Sequence, residues 1–333
     1  VEKLSFNYGD DVSLVTVGDI PLNIHNVGLF VRNMFDYDVD YFDKLKNAHQ
    51  FQVLTESNKT SLSHRKGIYL TNVEKDDNNI CKFNLLRCST NLDGPTETFK
   101  KVDLEIVSKV NGIANLYFEN PYTLNHALAQ IYENSKTFGA NEKAKDNKAR
   151  IKSHSDKTKD MPSNGLIAFC TFYSAELFER AVKNSRDDFH DYMYKNGSVL
   201  TKLSFKLKKT VEEQTGLKKQ FTITLYPNSL FLIPLSTNRM YTHEIVPSGL
   251  PVDKIPTRLG YVIRCSKTKA IHKNGNAYIC EGKDCVLLKR PTEKDVADIK
   301  ALYFEENTTD NVINYGAVNF SLNNGDYQPP NSS

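Results

Sequence analysis

The chain has 333 residues, of which 39% are hydrophobic and 25% are charged, a composition typical of a folded globular protein with a sizeable core. Its formal net charge of +3 is only weakly basic, which argues against a dedicated nucleic-acid coat protein. No apolar run approaches the ~20 residues of a membrane-spanning helix, so we expect no membrane segment.

Residues 1–120 contain short β-rich runs separated by polar turns, and we find no catalytic constellation among them. The runs 101–110 and 113–119 are predicted to be strands, with Asn111-Gly112 as the turn between them. We interpret the whole region as an accessory part that packs on, or presents substrate to, the part of the chain after it.

The next 70 residues are predicted to alternate between helix and strand. Apolar residues at helical spacing predict a helix over 121–134, and a second helix is predicted from Ser174 to Tyr194. Between them lies a polar stretch, 141–160, with seven Lys or Arg residues against four Asp or Glu residues, followed by the apolar run 165–173. This order places the polar stretch at the rim of a sheet.

Short strands follow at even spacing, at 199–207, 220–226, 229–235, 241–246 and 258–265. Such spacing is typical of an antiparallel sandwich or jelly roll and not of βαβ units. A last helix is predicted over 292–304, with Thr292 as its cap and Asp295 three residues later. From Glu305 onwards the chain is rich in Asn, Ser, Thr and Pro, and we expect it to be poorly packed.

Two histidines and an aspartate form a candidate iron(II) site. His154 and Asp156 are separated by one residue, so in an extended segment their side chains lie on the same side of the strand. His243, on a later strand, is the candidate for a third ligand. Two histidines and one carboxylate on one face of an octahedron leave positions open for a co-substrate and oxygen, as iron(II) oxygenases require.

Arg258 and Arg264 are predicted to lie on the strand after His243. An arginine that faces inward from a strand is costly unless it meets an anion. The distal carboxylate of a dicarboxylate such as 2-oxoglutarate accepts a bidentate guanidinium. The alternative is that both arginines are exposed or ion-paired on the strand.

The sequence resembles the AlkB family of iron(II)- and 2-oxoglutarate-dependent dioxygenases in three places, between about residues 140 and 268. Residues 149–156 resemble the segment with the family's first iron motif. Residues 239–245 place an arginine four residues before the second iron histidine, and residues 257–264 contain the spacing R-x5-R. The resemblance implies a double-stranded β-helix, or jelly roll, as the catalytic core of an α+β protein. It also implies that Fe(II), 2-oxoglutarate and O2 take part in hydroxylation or oxidative demethylation.

By this resemblance His154, Asp156 and His243 would bind iron, and Arg258 and Arg264 would hold the two carboxylates of 2-oxoglutarate. Arg264-Cys-Ser266 also matches the R-x-S motif of the wider superfamily, so which arginine takes the distal carboxylate is open. The family's Asn-x-Tyr, which also contacts 2-oxoglutarate, has Asn147 as its candidate here. The implied division is an accessory region over 1–120, a dioxygenase domain over 121–305 and a flexible tail over 306–333.

The substrate is open at this point. One hypothesis is an N-methylated nucleobase in DNA or RNA, for which the basic residues of the 141–160 stretch would form a binding rim. A second is a protein side chain or small metabolite, hydroxylated by the same chemistry. A third is a non-enzymatic β-sandwich binding protein in which the histidines are incidental. The oligomeric state is not predicted.

The six cysteines favour an intracellular protein, cytoplasmic or nuclear. Cys88, Cys170 and Cys265 lie in or beside apolar strand-like runs, as buried thiols do. Cys280 and Cys285 are compatible with a zinc half-site or a hairpin disulfide, but no second pair completes a four-ligand set. We therefore expect reduced thiols.

Overall fold

A computed structural model describes residues 18, 20–55, 62–138, 144–178, 182–183, 192–195, 197–211 and 216–332. The protein is β-rich with few helices, and most of its strands belong to two antiparallel sheets that pack face to face. We call these the large sheet and the small sheet. None of the described helices is both long enough and apolar enough to cross a membrane.

The large sheet has nine strands in the order β1-β2-β18-β12-β20-β8-β4-β3, with β7 pairing in parallel with β4. Its strands are β1 (Leu22–Ile24), β2 (Gly28–Val31), β3 (Gln52–Thr55), β4 (Leu62–Thr71), β7 (Glu97–Thr98), β8 (His126–Tyr132), β12 (Leu166–Tyr173), β18 (Ser229–Pro234) and β20 (Arg258–Arg264). Strands from before residue 120 thus share this sheet with strands from after it.

The small sheet has the order β11-β19-β16-β17. Its strands are β11 (Ile151–His154), β16 (Lys202–Leu207), β17 (Gln220–Thr224) and β19 (Tyr241–Val246). The sequence predictions for β16 to β20 are therefore confirmed, with boundaries shifted by a few residues. Asn228, at the tight turn between β17 and β18, has a φ of 58°, a conformation that Asn adopts more readily than most residues.

A third, five-stranded sheet has the order β23-β22-β21-β6-β5. Its strands are β5 (Val73–Lys75), β6 (Cys81–Asn84), β21 (Lys269–Lys273), β22 (Asn276–Glu281) and β23 (Asp284–Leu287). Small pairings complete the described strands: β9 (Ser135–Phe138) with β10 (Ala144–Asn147), and β14 (Tyr192–Tyr194) with β13 (Val182–Lys183) and β15 (Gly197–Ser198).

The helices are α1 (Tyr41–Ala48), α2 (Lys101–Tyr117), α3 (Ala175–Phe178), α4 (Leu235–Met240) and α5 (Glu293–Thr308), and 3-10 turns occur at Val252–Lys254 and Asn324–Tyr327. Helices α1 and α2 cover one face of the large sheet, and the small sheet covers the other. Strand β12 explains this layering, because it is buried along its whole length. Leu166, Ala168 and Phe172 belong to the core beneath the helices, whereas Ile167 and Phe169 belong to the core between the sheets.

Two sequence predictions exchanged helix and strand and are wrong. The segment predicted as a helix over 121–134 forms β8, in which every residue is buried between β20 and β4. The segment predicted as two strands with an Asn111-Gly112 turn forms the 17-residue helix α2. Its buried residues Ile106, Val107, Val110 and Ala114 follow helical spacing, and the Asn111 side chain bonds the backbone of Leu124.

The predicted helix over 174–194 is also wrong where the structure describes it, since only Ala175–Phe178 is helical and Tyr192–Tyr194 is a strand. The parts of this helix prediction at 179–181 and 184–191 lie outside the described residues, as does most of one β-rich run of the first region, VSLVTVG at 12–18. The last helix is confirmed as α5, and the Thr292 hydroxyl accepts a hydrogen bond from the backbone N–H of Asp295, as the capping pattern predicts.

The segment after α5 is packed more closely than its composition indicates. Ser321, Asn323 and Asp326 are buried, and Ser321 donates to the Asp326 carboxylate at 2.5 Å. Asn331 forms a parallel bridge with Glu97 of β7. The expectation of poor packing is therefore wrong for this part, because its polar side chains bond one another and the backbone instead of water.

Candidate metal centre and its cavity

A cavity of about 1000 Å3 lies between the large and small sheets. The large sheet contributes residues of β4, β8, β12 and β20 to its lining, and the small sheet contributes residues of β11 and β19. Helix α5 and the loop at 88–91 complete its walls. The structure brings His154, Asp156, His243, Arg258 and Arg264, which the sequence singled out, into this one cavity.

His154, Asp156 and His243 each offer one ligand atom, and these atoms all lie within 4.8 Å of one another. Strand pairing produces the convergence, because His154 at the end of β11 is the direct partner of His243 on β19, with ring centroids 4.5 Å apart. Asp156 follows two residues later, and both it and His243 are buried. No other such group occurs among the described residues.

The two imidazoles are prepared for metal binding. Burial is the main cause that lowers the pKa of His243 to about 3, and the neighbouring His154 contributes in the same direction, so the ring is neutral. Its buried Nδ1 has no hydrogen-bond partner among the described residues, and Phe169 and Phe205 pack on the ring at 5.3 and 5.7 Å between centroids. The Nδ1 of His154 lies 2.9 Å from the Lys152 carbonyl, which orients Nε2 towards Asp156.

The third candidate ligand, the Asp156 carboxylate, is ionised. Burial alone would raise the pKa of Asp156, but the Arg264 guanidinium holds it well below its usual range. Arg264 Nε donates to Asp156 Oδ2 at 2.8 Å, whereas the buried Nη1 of Arg264 has no partner in the described part of the chain. Two imidazoles and one ionised carboxylate are the donor set that suits iron(II), so these residues fit the metal.

Arg258 forms a second feature of the cavity. Its guanidinium stacks on the Tyr132 ring, 3.9 Å from the centroid, and lies over Gly260, where a Cβ atom would approach Nη1 to 2.8 Å. Within the described part of the chain, its buried Nε and Nη2 have no hydrogen-bond partner. The same holds for the hydroxyl of Thr171, the cross-strand partner of Gly260. Buried donors without partners are costly unless a ligand meets them.

Gln130 and Tyr132 are cavity residues that the sequence interpretation missed. They lie on β8 two positions apart, and the Tyr132 hydroxyl donates to Gln130 Oε1 at 3.2 Å. In register, Tyr132 pairs with Arg258 and Gln130 pairs with Gly260. Alternation in HALAQIY places both on one face, but this signal was hidden because the segment was assigned to a helix.

Asn147 and Ser266 are not brought to this cavity. Asn147 lies on the β9–β10 hairpin, where its amide donates to the Thr137 hydroxyl at 3.0 Å. Ser266 is buried behind β20 and donates to the Leu85 carbonyl at 2.6 Å. The structure therefore places Asn147 on a hairpin outside the cavity and gives Ser266 a structural role.

Two asparagines hold the backbone of the ligand segment. Asn238 Oδ1 accepts from the Asp156 amide at 2.8 Å, and its Nδ2 donates to the Asp156 carbonyl at 3.0 Å. Asn307 Oδ1, on α5, accepts from the Ser155 amide at 2.6 Å. The amide between the two proposed ligands is thus fixed by a helix outside both main sheets.

Further bonds from α5 continue this contact. Glu306 Oε1 accepts from the amide of Thr158 at 3.1 Å, and Lys159 donates to the Tyr303 hydroxyl at 2.8 Å. Burial lowers the pKa of Lys159 to about 8. The C-terminal helix therefore contacts the ligand segment from Ser155 to Lys159 along one side.

Cys280 and Cys285 do not form a zinc half-site. They are directly paired on β22 and β23 and form a disulfide across this hairpin. The expectation of reduced thiols is wrong for this pair, because the hairpin register brings the two Cβ atoms within bonding range. The other four cysteines are free, and three of them are buried.

No protein-family model and no curated protein sequence matches the chain. Among solved structures, the chain is similar to a selenomethionine-labelled Fe(II)/α-ketoglutarate-dependent dioxygenase, TqaL, at 9% sequence identity and a TM-score of 0.30. The alignment covers 78% of this chain and 88% of that chain. A likeness of this size carries no argument, and the function is therefore inferred from the geometry of the cavity.

Proposed function

We propose that the chain is an Fe(II)- and 2-oxoglutarate-dependent dioxygenase, an oxidoreductase that hydroxylates or oxidatively demethylates its substrate. One observation carries the proposal. Two imidazoles and an ionised carboxylate, with ligand atoms within 4.8 Å of one another, share a cavity with buried Arg258, which has no polar partner among the described residues. A non-enzymatic sandwich would have no need for either feature.

The strand order supports a double-stranded β-helix over residues 121–305. Taken along the chain, the strands from β8 to β20 in the two main sheets alternate as large, small, large, small, small, large, small, large. They pair as β18-β12-β20-β8 and β11-β19-β16-β17, and all of these pairs are antiparallel. This order supports the proposed jelly roll, in which the ligands would lie at the open end between the sheets.

His154, Asp156 and His243 are the residues that would hold iron(II). When bound there, iron(II) would supply the activation of O2 and the oxidative decarboxylation of 2-oxoglutarate to succinate and CO2. The chain keeps His243 neutral by burial and keeps Asp156 ionised through Arg264. Phe169 and Phe205 around His243 exclude water from that side of the site.

Arg258 is the proposed anchor for the distal carboxylate of 2-oxoglutarate. Arg258 Nε and Nη2 and the Thr171 hydroxyl, which have no hydrogen-bond partner among the described residues, face the same part of the cavity. The Arg258 guanidinium stacks on the Tyr132 ring. Arg264 already donates to Asp156, so its remaining Nη1 is proposed to bind the carboxylate nearer the metal. This division assigns one arginine to each end of the co-substrate.

For the substrate, we propose an N-methylated nucleobase in DNA or RNA. The cavity lining includes eight Lys or Arg residues and a single acidic residue, Asp156. Lys148, Arg150, Lys152 and Lys157 come from or flank β11 at the mouth, and exposed Phe304 of α5 offers an aromatic surface beside them. Cations along a groove and an aromatic platform are what a flipped base and its phosphates need.

The direct test is succinate release from 2-oxoglutarate on addition of Fe(II) and ascorbate under air. We expect the wild-type chain to form succinate and His154→Ala to form none. His64→Ala is the matched control, since His64 is exposed and lines the same cavity without being near ligand spacing. Absence of both turnover and iron binding in the wild type would contradict the proposed chemistry.

Oligonucleotide binding separates the substrate classes. A nucleic-acid substrate predicts binding that weakens steeply as salt rises, since each phosphate contact releases counterions. Succinate formation without such binding would favour a protein side chain or a small metabolite as the substrate.

A further inference from the structure

Arg65 is a third buried arginine of the cavity, beside Arg258 and Arg264, and the proposed chemistry leaves it without a role. It lies on β4, lines the cavity and is only 7% exposed. Its side chain has no hydrogen bond and no ion pair with any described residue. Glu133, the acidic side chain that follows the end of β8, pairs instead with Lys66 at 2.9 Å.

Strand register fixes where Arg65 lies relative to the proposed co-substrate anchor. Tyr132 on β8 pairs with Arg258 on one side and with Arg65 on the other. Directly paired residues share a face of the sheet, so all three side chains leave the same face. With strands about 4.8 Å apart, the two arginine Cα atoms are separated by about 10 Å, and Tyr132 stands between them.

There is space beside Arg65 for a ligand group. The loop at Ser89, Thr90 and Asn91 contributes hydroxyl and amide groups to the same cavity. At about 1000 Å3 the cavity is at the upper end of ordinary ligand sites and far exceeds a five-carbon diacid.

In a cavity between two sheets, an arginine without a counter-ion attracts anions more strongly than on an open surface, because the low-dielectric walls focus its field. Among the described residues of the lining, Asp156 is the one acidic side chain, and Arg264 already engages it. Arg258 is sufficient for the distal carboxylate of the co-substrate. A second anion that enters the cavity is therefore the partner that Arg65 lacks among the described residues.

We infer that Arg65 binds an anionic group of the substrate, a phosphate or a carboxylate, at a subsite separate from that of 2-oxoglutarate. The inference rests on the proposed function for the identity of the first anion. The subsite itself follows from the burial of Arg65, its lack of partners and its register. It makes Arg65 a specificity-determining residue that selects anionic over neutral substrates.

The test is calorimetric titration of the full chain loaded with Mn(II), which permits binding without turnover. The protein is titrated first with 2-oxoglutarate and then, once saturated, with methyl phosphate in one arm and with acetate in the other. We expect the saturated wild type to bind one further anion in at least one arm. Methyl phosphate alone assigns a phosphate subsite, acetate alone a carboxylate subsite, and both together a general monoanion subsite.

Arg65→Gln is expected to weaken this second binding event by at least about tenfold, as for loss of a hydrogen bond to a charged group. The affinity for 2-oxoglutarate should change much less. Lys300→Gln is the matched control, because Lys300 is an exposed cation of the same lining. Arg65→Met, which removes the buried charge while keeping an apolar stem, gives the same comparison should Arg65→Gln fail to fold.

Three results would overturn the subsite: no second anion bound in either arm, competition of that anion with 2-oxoglutarate, or wild-type affinity in both Arg65 variants. A wild type that binds no 2-oxoglutarate would contradict the proposed function instead. In that case the anion titration of the Arg65 variants still decides whether Arg65 is an anion site.

Discussion

Two buried histidines, His49 and His243, show how the same residue type serves different purposes in one molecule. His49 follows α1 and lies between two carboxylates, with Nδ1 3.0 Å from Glu97 and Nε2 2.8 Å from Asp103. Burial by itself would lower its pKa, but hydrogen bonds with Asp103 and Glu97 raise the pKa to about 9. Tyr261 completes the cluster by donating to Asp103 at 2.7 Å.

His243 is also buried, yet its pKa is lowered to about 3 and its Nδ1 has no hydrogen-bond partner in the described ranges. The difference lies in the neighbours: His49 faces carboxylates, whereas His243 faces another imidazole and an aspartate already held by Arg264. A histidine whose two ring nitrogens both have carboxylate partners, such as His49, connects helices to a sheet. A histidine with an unpaired ring nitrogen beside a cavity is available to a ligand. Burial alone does not distinguish the two.

Loss of a proposed ligand has the largest expected effect. In His243→Ala, Mn(II) affinity should fall on the order of 1000-fold, since four ligands together give a structural zinc site about 10–16 kcal/mol. Equilibrium dialysis measures this directly. His49→Leu is the control and should keep its metal affinity; unchanged binding by His243→Ala would remove the distinction between the two histidines.

His49→Leu should instead lose stability. It leaves Glu97 and Asp103 buried without their cation, and breaking such a buried pair costs about 3–5 kcal/mol. Urea unfolding monitored by circular dichroism at neutral pH gives the free energy of unfolding. A loss below about 1 kcal/mol would show that the cluster is not the tie between α1, α2 and β7 that its contacts indicate.

Arg258→Gln should weaken 2-oxoglutarate binding by about 10- to 100-fold while Mn(II) affinity is retained, because a charge-assisted hydrogen-bond pair is lost. The measurement is titration of the Mn(II)-loaded chain with 2-oxoglutarate. Arg290→Gln is the matched control, because Arg290 is exposed, donates to Asn324 and is not among the residues that line the cavity. Equal affinity in both variants would place the co-substrate elsewhere.

Asn307→Ala tests whether α5 positions the ligand segment. Loss of the bond to the Ser155 amide should reduce Mn(II) affinity by about tenfold, the lower end of the effect of outer partners on metal sites. Asn311→Ala, which removes an exposed bond to Glu305, should leave the affinity unchanged. A fall in thermal stability without any change in metal affinity would limit α5 to a packing role.

The last prediction concerns the part of the pH dependence of stability that His49 contributes. Its pKa in the folded chain is raised from the ordinary 6.5 to about 9, so its contribution is complete below 6.5 and is lost as pH rises through 9. The decline is at most about 1.4 kcal/mol for each pH unit. Urea unfolding between pH 6.5 and 9 should show this slope in the wild type and a flatter one in His49→Leu.

The sequence predicted the strands at 229–235, 241–246 and 258–265 because short apolar runs between turn residues have little freedom to be anything else. It also predicted α5, because Thr292 and Asp295 form a cap that depends only on local contacts. The proposed ligands could be named because H-x-D spacing and a histidine within a strand can be recognised without knowing how the strands pair.

The segments 101–117 and 126–132 were exchanged because both are apolar and their periodicity is ambiguous at that length. What decides them is long-range: β8 is buried between β4 and β20, and α2 packs beneath the large sheet. Gln130, Tyr132 and Arg65 could not be found without that pairing. Local sequence patterns therefore predict the metal-binding side of the cavity, whereas these residues on the co-substrate side are found only from the strand pairing.

The central claim is that His154, Asp156 and His243 form one metal site facing Arg258 in a single cavity. Crystals grown with Mn(II) and 2-oxoglutarate, with diffraction recorded at the manganese edge, test it most directly. We predict one anomalous peak about 2.0–2.3 Å from a ring nitrogen of each histidine and from an Asp156 oxygen, with the distal carboxylate on Arg258. A peak at another group of residues, or ordered 2-oxoglutarate away from Arg258, would contradict it.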